Sequence, residues 1–226
     1  MRAERTPRQR AWLALPLVAL AGCVDAIGWL RLQELFVSFM SGTSTMLGVA
    51  LAEGRPERVA ALGMVVALFT AGAIAAAGLG RLAGRARGAV VLGLVAALLG
   101  CGWLLPSAGG PGLPPMAYAV VPAMGALNLA LPGVGGITFV TGALTRFAEA
   151  LMAALAGTGR HEAWVTQLAA WAALVGGAVG GAVLDARLGA DALAWPAGFA
   201  LLATLAAAWS AVGSRPRREG GAAGLQ

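Results

Sequence analysis

Long apolar runs dominate this sequence, and only short charged or Gly- and Pro-rich breaks separate them. A helix needs about 20 mostly apolar residues to span the hydrocarbon core of a bilayer. The candidate segments are residues 12–30, 36–52, 59–79, 89–105, 116–131, 137–155, 164–184 and 192–212. Only 12% of the residues are charged, against about 25% in an ordinary soluble domain. The sequence therefore predicts an all-α membrane protein with a single transmembrane domain over residues 1–226.

The first apolar segment has two interpretations. Residues 20–23, Leu-Ala-Gly-Cys, follow a basic start and resemble the cleavage box of a lipoprotein signal, in which Cys23 would become lipidated. The apolar run, however, continues past this cysteine to Leu30, and Trp12 and Trp29 bracket it as interfacial aromatic residues do. We therefore expect an uncleaved first transmembrane helix.

The two halves of the chain share a weak but ordered similarity. Three short segments of the first half recur in the same order in the second half, at shifts of 100 to 105 positions. The pairs are residues 22–25 with 125–128, residues 39–45 with 139–145, and residues 71–74 with 176–179. The sequence predicts two internal repeats, at about residues 12–105 and 116–212.

The number of spans depends on two of the eight segments. Residues 36–52 and 137–155 are short or polar for a transmembrane helix, so re-entrant or broken helices are expected there. If both enter and return on one side, six spans form inverted repeats and the tails 1–11 and 213–226 are cytoplasmic. The arginine clusters of both tails and of residues 81–87 then obey the positive-inside rule. The alternative is eight full spans, with the 81–87 cluster outside.

Polar residues within apolar segments are the candidates for a substrate path. Ionisable groups at membrane depth are costly, and they usually face a cavity or a partner. A glycine flanked by small hydroxyl residues can open a helix, and inverted-repeat transporters place interrupted helices at the repeat interface. The candidates are Asp25, Ser41, Gly42, Thr43, Ser44, Thr45, Asn128, Thr141, Gly142, Thr145, Arg146 and Glu149.

These candidates also have structural interpretations. Asp25 is either a proton or cation site or an interfacial residue near the end of the first span. Arg146 and Glu149 are spaced to pair on one helix face, and Arg146 can alternatively meet Asp25 inside the bundle. The hydroxyl–glycine runs fit a solute path or ordinary close packing of membrane helices, and we favour the path because the run recurs. Glycines within residues 176–181 form small-xxx-small pairs that predict a packing face.

Three motifs of this sequence match a known family. They are residues 22–28 (GCVDAIG), 35–45 (LFVSFMSGTST) and 140–145 (VTGALT). These motifs resemble the YoaK-like family of uncharacterised bacterial multi-pass inner-membrane proteins, and the likeness runs from about Trp12 to Val212. Cys23 stands where the family tends to have an aromatic residue, and Ser44 where asparagine is frequent. The resemblance implies a multi-pass protein of the bacterial inner membrane and supplies no substrate.

Three functional classes compete. The leading one is a small-solute transporter or channel with its path between the repeats, and proton coupling through Asp25 is one option. An intramembrane enzyme is disfavoured, because a nucleophilic serine such as Ser44 needs an activating base and the single histidine, His161, lies in a polar loop. A membrane scaffold or accessory subunit would need no polar lining.

The partners expected from the sequence are the lipid bilayer and an unknown small solute, and association into a homo-oligomer is left open. The net charge is +6 and all basic residues are arginine. Because the arginines cluster at the ends of apolar segments, they indicate cytoplasmic flanks rather than a nucleic-acid surface. No spacing of metal ligands or nucleotide-binding motif is present, so we expect no metal and no cofactor.

Overall fold

The computed structural model describes residues 7–32, 34–108, 112–131, 137–138 and 140–212. Residues 1–6 and 213–226 of the predicted tails lie outside the described residues, as does Phe139 of the recurring segment. The described part of the chain is all-helical, which confirms the predicted class. Its helices are α1 (Pro7–Arg31), α2 (Met40–Ala52), α3 (Pro56–Ala83), α4 (Arg87–Leu104), α5 (Ala117–Leu127), α6 (Val140–Leu155), α7 (His161–Leu188) and α8 (Ala194–Val212). Short 3-10 turns, Gly84–Ala86 and Gly189–Leu193, join α3 to α4 and α7 to α8.

Helix length separates two groups of elements. Three continuous helical stretches among the described residues are long and apolar enough to cross a membrane: Ala11–Arg31, Pro56–Leu104 and His161–Val212. The second and third each contain two helices and a 3-10 turn. By contrast α2 has 13 residues, α5 has 11 and α6 has 16. These three are shorter than the roughly 20 residues that a full crossing needs.

The core is built around α5. Most of this helix is completely enclosed, including Val120, Met124 and Leu127, at 0% exposure. Large apolar side chains of α8 lie on the outside instead, with Trp209 85% and Leu202 67% exposed. A helix that is apolar on all sides and exposed on one of them is suited to contact with lipid. The fold therefore has a central short helix and an apolar periphery.

Helices α1 and α7 run parallel to each other. Their contacts advance together along both helices, pairing Ala19 with Gly177, Cys23 with Gly181, and Arg31 with Asp185. The close approach is possible because the two glycines have no side chain between the backbones. This pair of helices forms one side of the bundle.

Helix α4 runs antiparallel to both α5 and α8. Near its start Gly88 lies against Ala130, and near its end Gly102 lies against Val120 and Leu193. The side chain of Arg87 folds back onto Gly80 of α3 across the 3-10 turn. The end of α3 therefore lies beside the end of α5, and these two helices run parallel.

These directions place the helix ends in two layers. One end of the bundle holds the starts of α1, α4 and α7 and the ends of α3, α5 and α8. The segment that contains α2 begins and ends at the opposite layer. The segment that contains α6 begins and ends at the first layer. Both short helices therefore leave one layer of the bundle and return to it.

Candidate functional site

The carboxylate of Asp25 holds the turn that leads into α2. Its Oδ1 accepts hydrogen bonds from the Val37 N–H at 2.9 Å and the Ser38 N–H at 3.0 Å, and its Oδ2 accepts one from the Ser38 hydroxyl at 2.8 Å. The N-cap residue of α2 is Phe39, and its side chain makes no capping hydrogen bond. Backbone N–H groups away from water are expensive to leave unpaired. Asp25 therefore anchors the entry turn of α2 to α1.

Asn128 makes a similar contact at the other short helix. It directly follows α5, and its Oδ1 accepts hydrogen bonds from the N–H and the hydroxyl of Thr138, both at 3.1 Å. Its Nδ2 donates to the Met124 carbonyl at 3.0 Å. Asn128 follows Asp25 by 103 positions, and Thr138 follows Ser38 by 100. A neutral amide thus anchors the entry to α6 where a carboxylate anchors the entry to α2.

Close helix contacts also occur at matching positions. In each case a Cβ added to the glycine would overlap a backbone carbonyl of the other helix. The contacts are Gly22 with Leu174, Gly177 with Ala19, Gly125 with Phe69, and Gly72 with Pro122. The first two join α1 to α7, and the last two join α5 to α3. Corresponding residues are 103 positions apart in α1 and α5 and 105 apart in α3 and α7.

The predicted packing face of α7 uses only part of its glycines. Gly177 and Gly181 lie against the backbone of α1. A Cβ on Gly176 or Gly180 would meet nothing within 4 Å. The other glycine pair therefore faces away from the helix contact.

A cleft of about 380 Å³ opens beside Asp25 between α1 and α7. Within the described part of the chain Asp25 is the one ionisable residue of its lining. The walls include Ala26 and Trp29 of α1, Phe36 of the entry turn, and Ala178 and Ala182 of α7. The rings of Trp29 and Phe36 have centroids 4.4 Å apart, and Phe36 meets Phe39 edge-on at 5.3 Å. The cleft combines one carboxylate with an aromatic wall.

The hydroxyl–glycine run of the first half lies in the first turns of α2. Thr43 is fully buried, whereas Ser41, Ser44 and Thr45 are exposed. The hydroxyl of Thr43 donates to the Phe39 carbonyl at 3.2 Å, and that of Thr45 donates to the Ser41 carbonyl at 3.1 Å. Gly42 packs against the ring of Phe39. The hydroxyl–glycine run does not interrupt a helix, because α2 already begins at Met40, before the run.

The run of the second half lies in the first turns of α6. Thr141 and Thr145 are exposed, and Gly142 is partly exposed. The Thr145 hydroxyl donates to the Gly142 carbonyl at 3.1 Å. Both runs therefore start short helices that follow an anchored turn.

Arg146 extends from α6 to α7. Its Nε donates to Oε1 of Gln167 at 3.2 Å. Within the part of the chain that the structure describes, Arg146 forms an ion pair with neither Glu149 nor Asp25. Arg146 and Glu149 are both exposed. The structure thus brings Arg146 to neither of the partners considered from the sequence.

Sequence reasoning missed several polar residues that form contacts between elements in the structure. Ser38 and Thr138 are the partners of the two anchors, and their recurrence at a shift of 100 is the signal that could have identified them. Arg31 pairs with Asp185 of α7, and its Nη1 also donates to the Ser107 hydroxyl at 3.4 Å. This ion pair joins residues 154 positions apart and ties the end of α1 to α7. No group of three or more metal-ligand side chains occurs among the described residues.

The apolar helices and the two anchored short helices define an all-helical transmembrane protein. A family model described as "Protein of unknown function (DUF1275)" matches residues 13–206, and the chain belongs to this family. The chain is similar to the UPF0700 transmembrane protein RA0705 of Rhizobium meliloti (strain 1021), with 37% identity over 209 residues, which cover 88% of each chain. No solved structure matches this chain. Membership of an uncharacterised membrane-protein family, expected from the sequence, is thereby confirmed.

Proposed function

We propose that this protein is a small-solute transporter or channel with its site at the interface of two inverted repeats, about residues 12–105 and 116–212. The observation that carries the proposal is the matched pair of anchors, Asp25 with Ser38 and Asn128 with Thr138. Each anchor ties the start of a short helix to the helix before it in the chain, α2 to α1 and α6 to α5. Inverted-repeat transporters build solute sites at the repeat interface, where helices begin or end within the membrane.

The helix directions support six spans rather than eight. Helices α2 and α6 are short for a full crossing, and each lies in a segment that returns to its own layer of the bundle. The short helix α5 crosses between the layers, and it runs opposite to its counterpart α1. Opposite directions of corresponding helices are the mark of inverted repeats.

The arginine distribution supports a cytoplasmic location for the layer that holds the start of α1. Arg81, Arg85 and Arg87 lie in this layer, at the turn between α3 and α4. The positive-inside rule assigns such a cluster to the cytoplasm. We accordingly propose a bacterial inner-membrane protein with both termini cytoplasmic.

The charge of Asp25 favours transport over a purely structural role. Asn128 anchors its turn with a neutral amide, so a side chain can anchor the entry to a short helix without a charge. A carboxylate within an apolar segment is costly and usually serves ion or substrate binding. The charge of Asp25 is therefore available for a cation or proton that accompanies the solute.

A ligand screen followed by a flux assay tests this proposal. Purified protein is screened for thermal stabilisation by amino acids, nucleobases, sugars, organic acids and organic and inorganic cations. A ligand at a hundredfold excess over its dissociation constant stabilises by about 2.7 kcal/mol. The hit is then followed as flux into liposomes.

The decisive variant is Asp25→Asn, in which the amide oxygen still accepts from Val37 and Ser38 and the Ser38 hydroxyl can accept from the amide nitrogen. We expect it to fold and to lose flux. The matched control is Asp191→Asn, which removes a carboxylate from the same layer but keeps an acceptor for the Trp103 indole. Unchanged flux in Asp25→Asn would reject a role for the charge, and a library without any hit would favour the scaffold alternative.

A further inference from the structure

The carboxylate of Asp25 has no cationic partner within the described residues. The ion pairs there are Arg31 with Asp185, Arg55 with Glu53, and Arg160 with Glu162. Three hydrogen bonds occupy Asp25, whereas a carboxylate offers about four lone-pair sites. Because an unpaired charge in apolar surroundings is expensive, a cation that enters the cleft gains from pairing with it.

The aromatic wall of the cleft suits a positively charged ligand. The face of a tryptophan, tyrosine or phenylalanine ring attracts an ammonium group, and tryptophan does so most strongly. Trp29 and Phe36 line the same cleft as Asp25, and their rings are packed together. A carboxylate beside two adjacent aromatic rings is a suitable arrangement for an ammonium group.

The rest of the lining restricts the ligand further. A bare Ca²⁺ takes six to eight oxygen ligands, and Mg²⁺ needs a near-ideal octahedron, whereas the lining supplies one carboxylate among apolar side chains. Among the described residues no basic side chain lines the cleft, so an anion or the carboxylate of a zwitterion would lie unpaired near Asp25. The volume of about 380 Å³ falls within the range of ligand pockets, about 300–1,000 Å³.

We propose that this cleft binds an organic cation, a protonated amine or quaternary ammonium group carrying an apolar body. The ammonium group lies between the Asp25 carboxylate and the ring of Trp29. The apolar body packs against Ala178 and Ala182 of α7. The claim that this cation is the transported substrate rests on the proposed transporter function. The claim that the cleft binds the cation does not depend on transport.

Calorimetric titration of the detergent-purified full chain with benzyltrimethylammonium tests the inference. Benzyl alcohol and benzenesulfonate are the neutral and anionic controls of similar shape. We expect saturable binding of the cation alone. Asp25→Asn should weaken it by about tenfold or more, because a close charge pair is lost.

Three further variants keep the test independent of the folding of Asp25→Asn. Trp29→Leu removes one ring of the aromatic wall and should weaken binding about twofold or more. Ala182→Phe fills the cleft from an exposed position of α7 and should also weaken binding. Asp191→Asn, outside the cleft, should bind as the native protein does. Equal affinity of the native protein for the cation and for benzyl alcohol would overturn the inference. So would an affinity for the cation that is unchanged in Asp25→Asn, Trp29→Leu and Ala182→Phe.

The source of the ammonium group is decided in nanodiscs. Weaker probe binding in phosphatidylcholine discs than in discs of an uncharged glycolipid, with the difference lost in Asp25→Asn, would assign the cleft to a lipid headgroup. Equal binding in both would assign it to a soluble cation. Asp25-dependent flux of another solute, without cation binding, would overturn this inference alone. Cation binding without any flux would overturn the transporter proposal and leave the cleft assignment standing.

Discussion

The contact between α1 and α7 allows a sharp test with adjacent glycines. A Cβ built on Gly177 lies 2.7 Å from the carbonyl carbon of Ala19 and 2.8 Å from its Cα. Non-bonded carbons prefer about 3.5–4.0 Å, so Gly177→Ala must push the two helices apart by about 1 Å. Backbone atoms cannot rotate away as a side chain can. Overpacking of this kind costs about 1–3 kcal/mol.

The matched control for this variant is Gly176→Ala. Its Cβ meets nothing within 4 Å, and alanine is a better helix former than glycine by about 1 kcal/mol. We expect Gly177→Ala to unfold at a lower fraction of sodium dodecyl sulfate than the native protein, and Gly176→Ala to unfold at the same fraction or a higher one. Circular dichroism follows the transition. Equal midpoints for the two variants would refute the close contact of α1 with α7.

Two other predictions follow from the anchors and the helix directions. Asn128→Ala removes the acceptor for the Thr138 N–H and hydroxyl, so we expect it to lower the free energy of unfolding by about 1–3 kcal/mol; native stability in the same detergent titration would contradict the anchor. For topology, single cysteines at Glu57 and Thr158, placed in a Cys23→Ala/Cys101→Ala background, should react with an impermeant maleimide from opposite sides of the membrane. In intact cells we expect Glu57→Cys to label and Thr158→Cys to label only after permeabilisation, whereas eight spans would place both sites on one side.

The eight helical segments could be found from the sequence because their signal is local. Each run of apolar residues overlaps one of the helices, and α1, α3 and α7 extend beyond their predicted runs at both ends. A backbone inside a bilayer must satisfy its own hydrogen bonds, so a long apolar run leaves helix as the available structure. The positions of Asp25 and Asn128 were also visible, since a polar residue interrupts an apolar run.

The partners of those residues could not be found in the same way. Asp25 bonds to Val37 and Ser38 across a turn, and Arg31 pairs with a residue of α7 that is 154 positions away. Such contacts depend on the direction and rotation of whole helices. No spacing along the chain specifies either quantity.

The glycines of α7 show most clearly where sequence ends and tertiary structure begins. The apolar run and its composition are enough to predict that residues 176–181 belong to a helix rich in small residues. The packing of the helices is needed to see that Gly177 and Gly181 face α1 while Gly176 and Gly180 face away. The physical reason is that lipid and a membrane-protein core are equally apolar, so hydrophobic pattern identifies the spanning helix but not the face that packs.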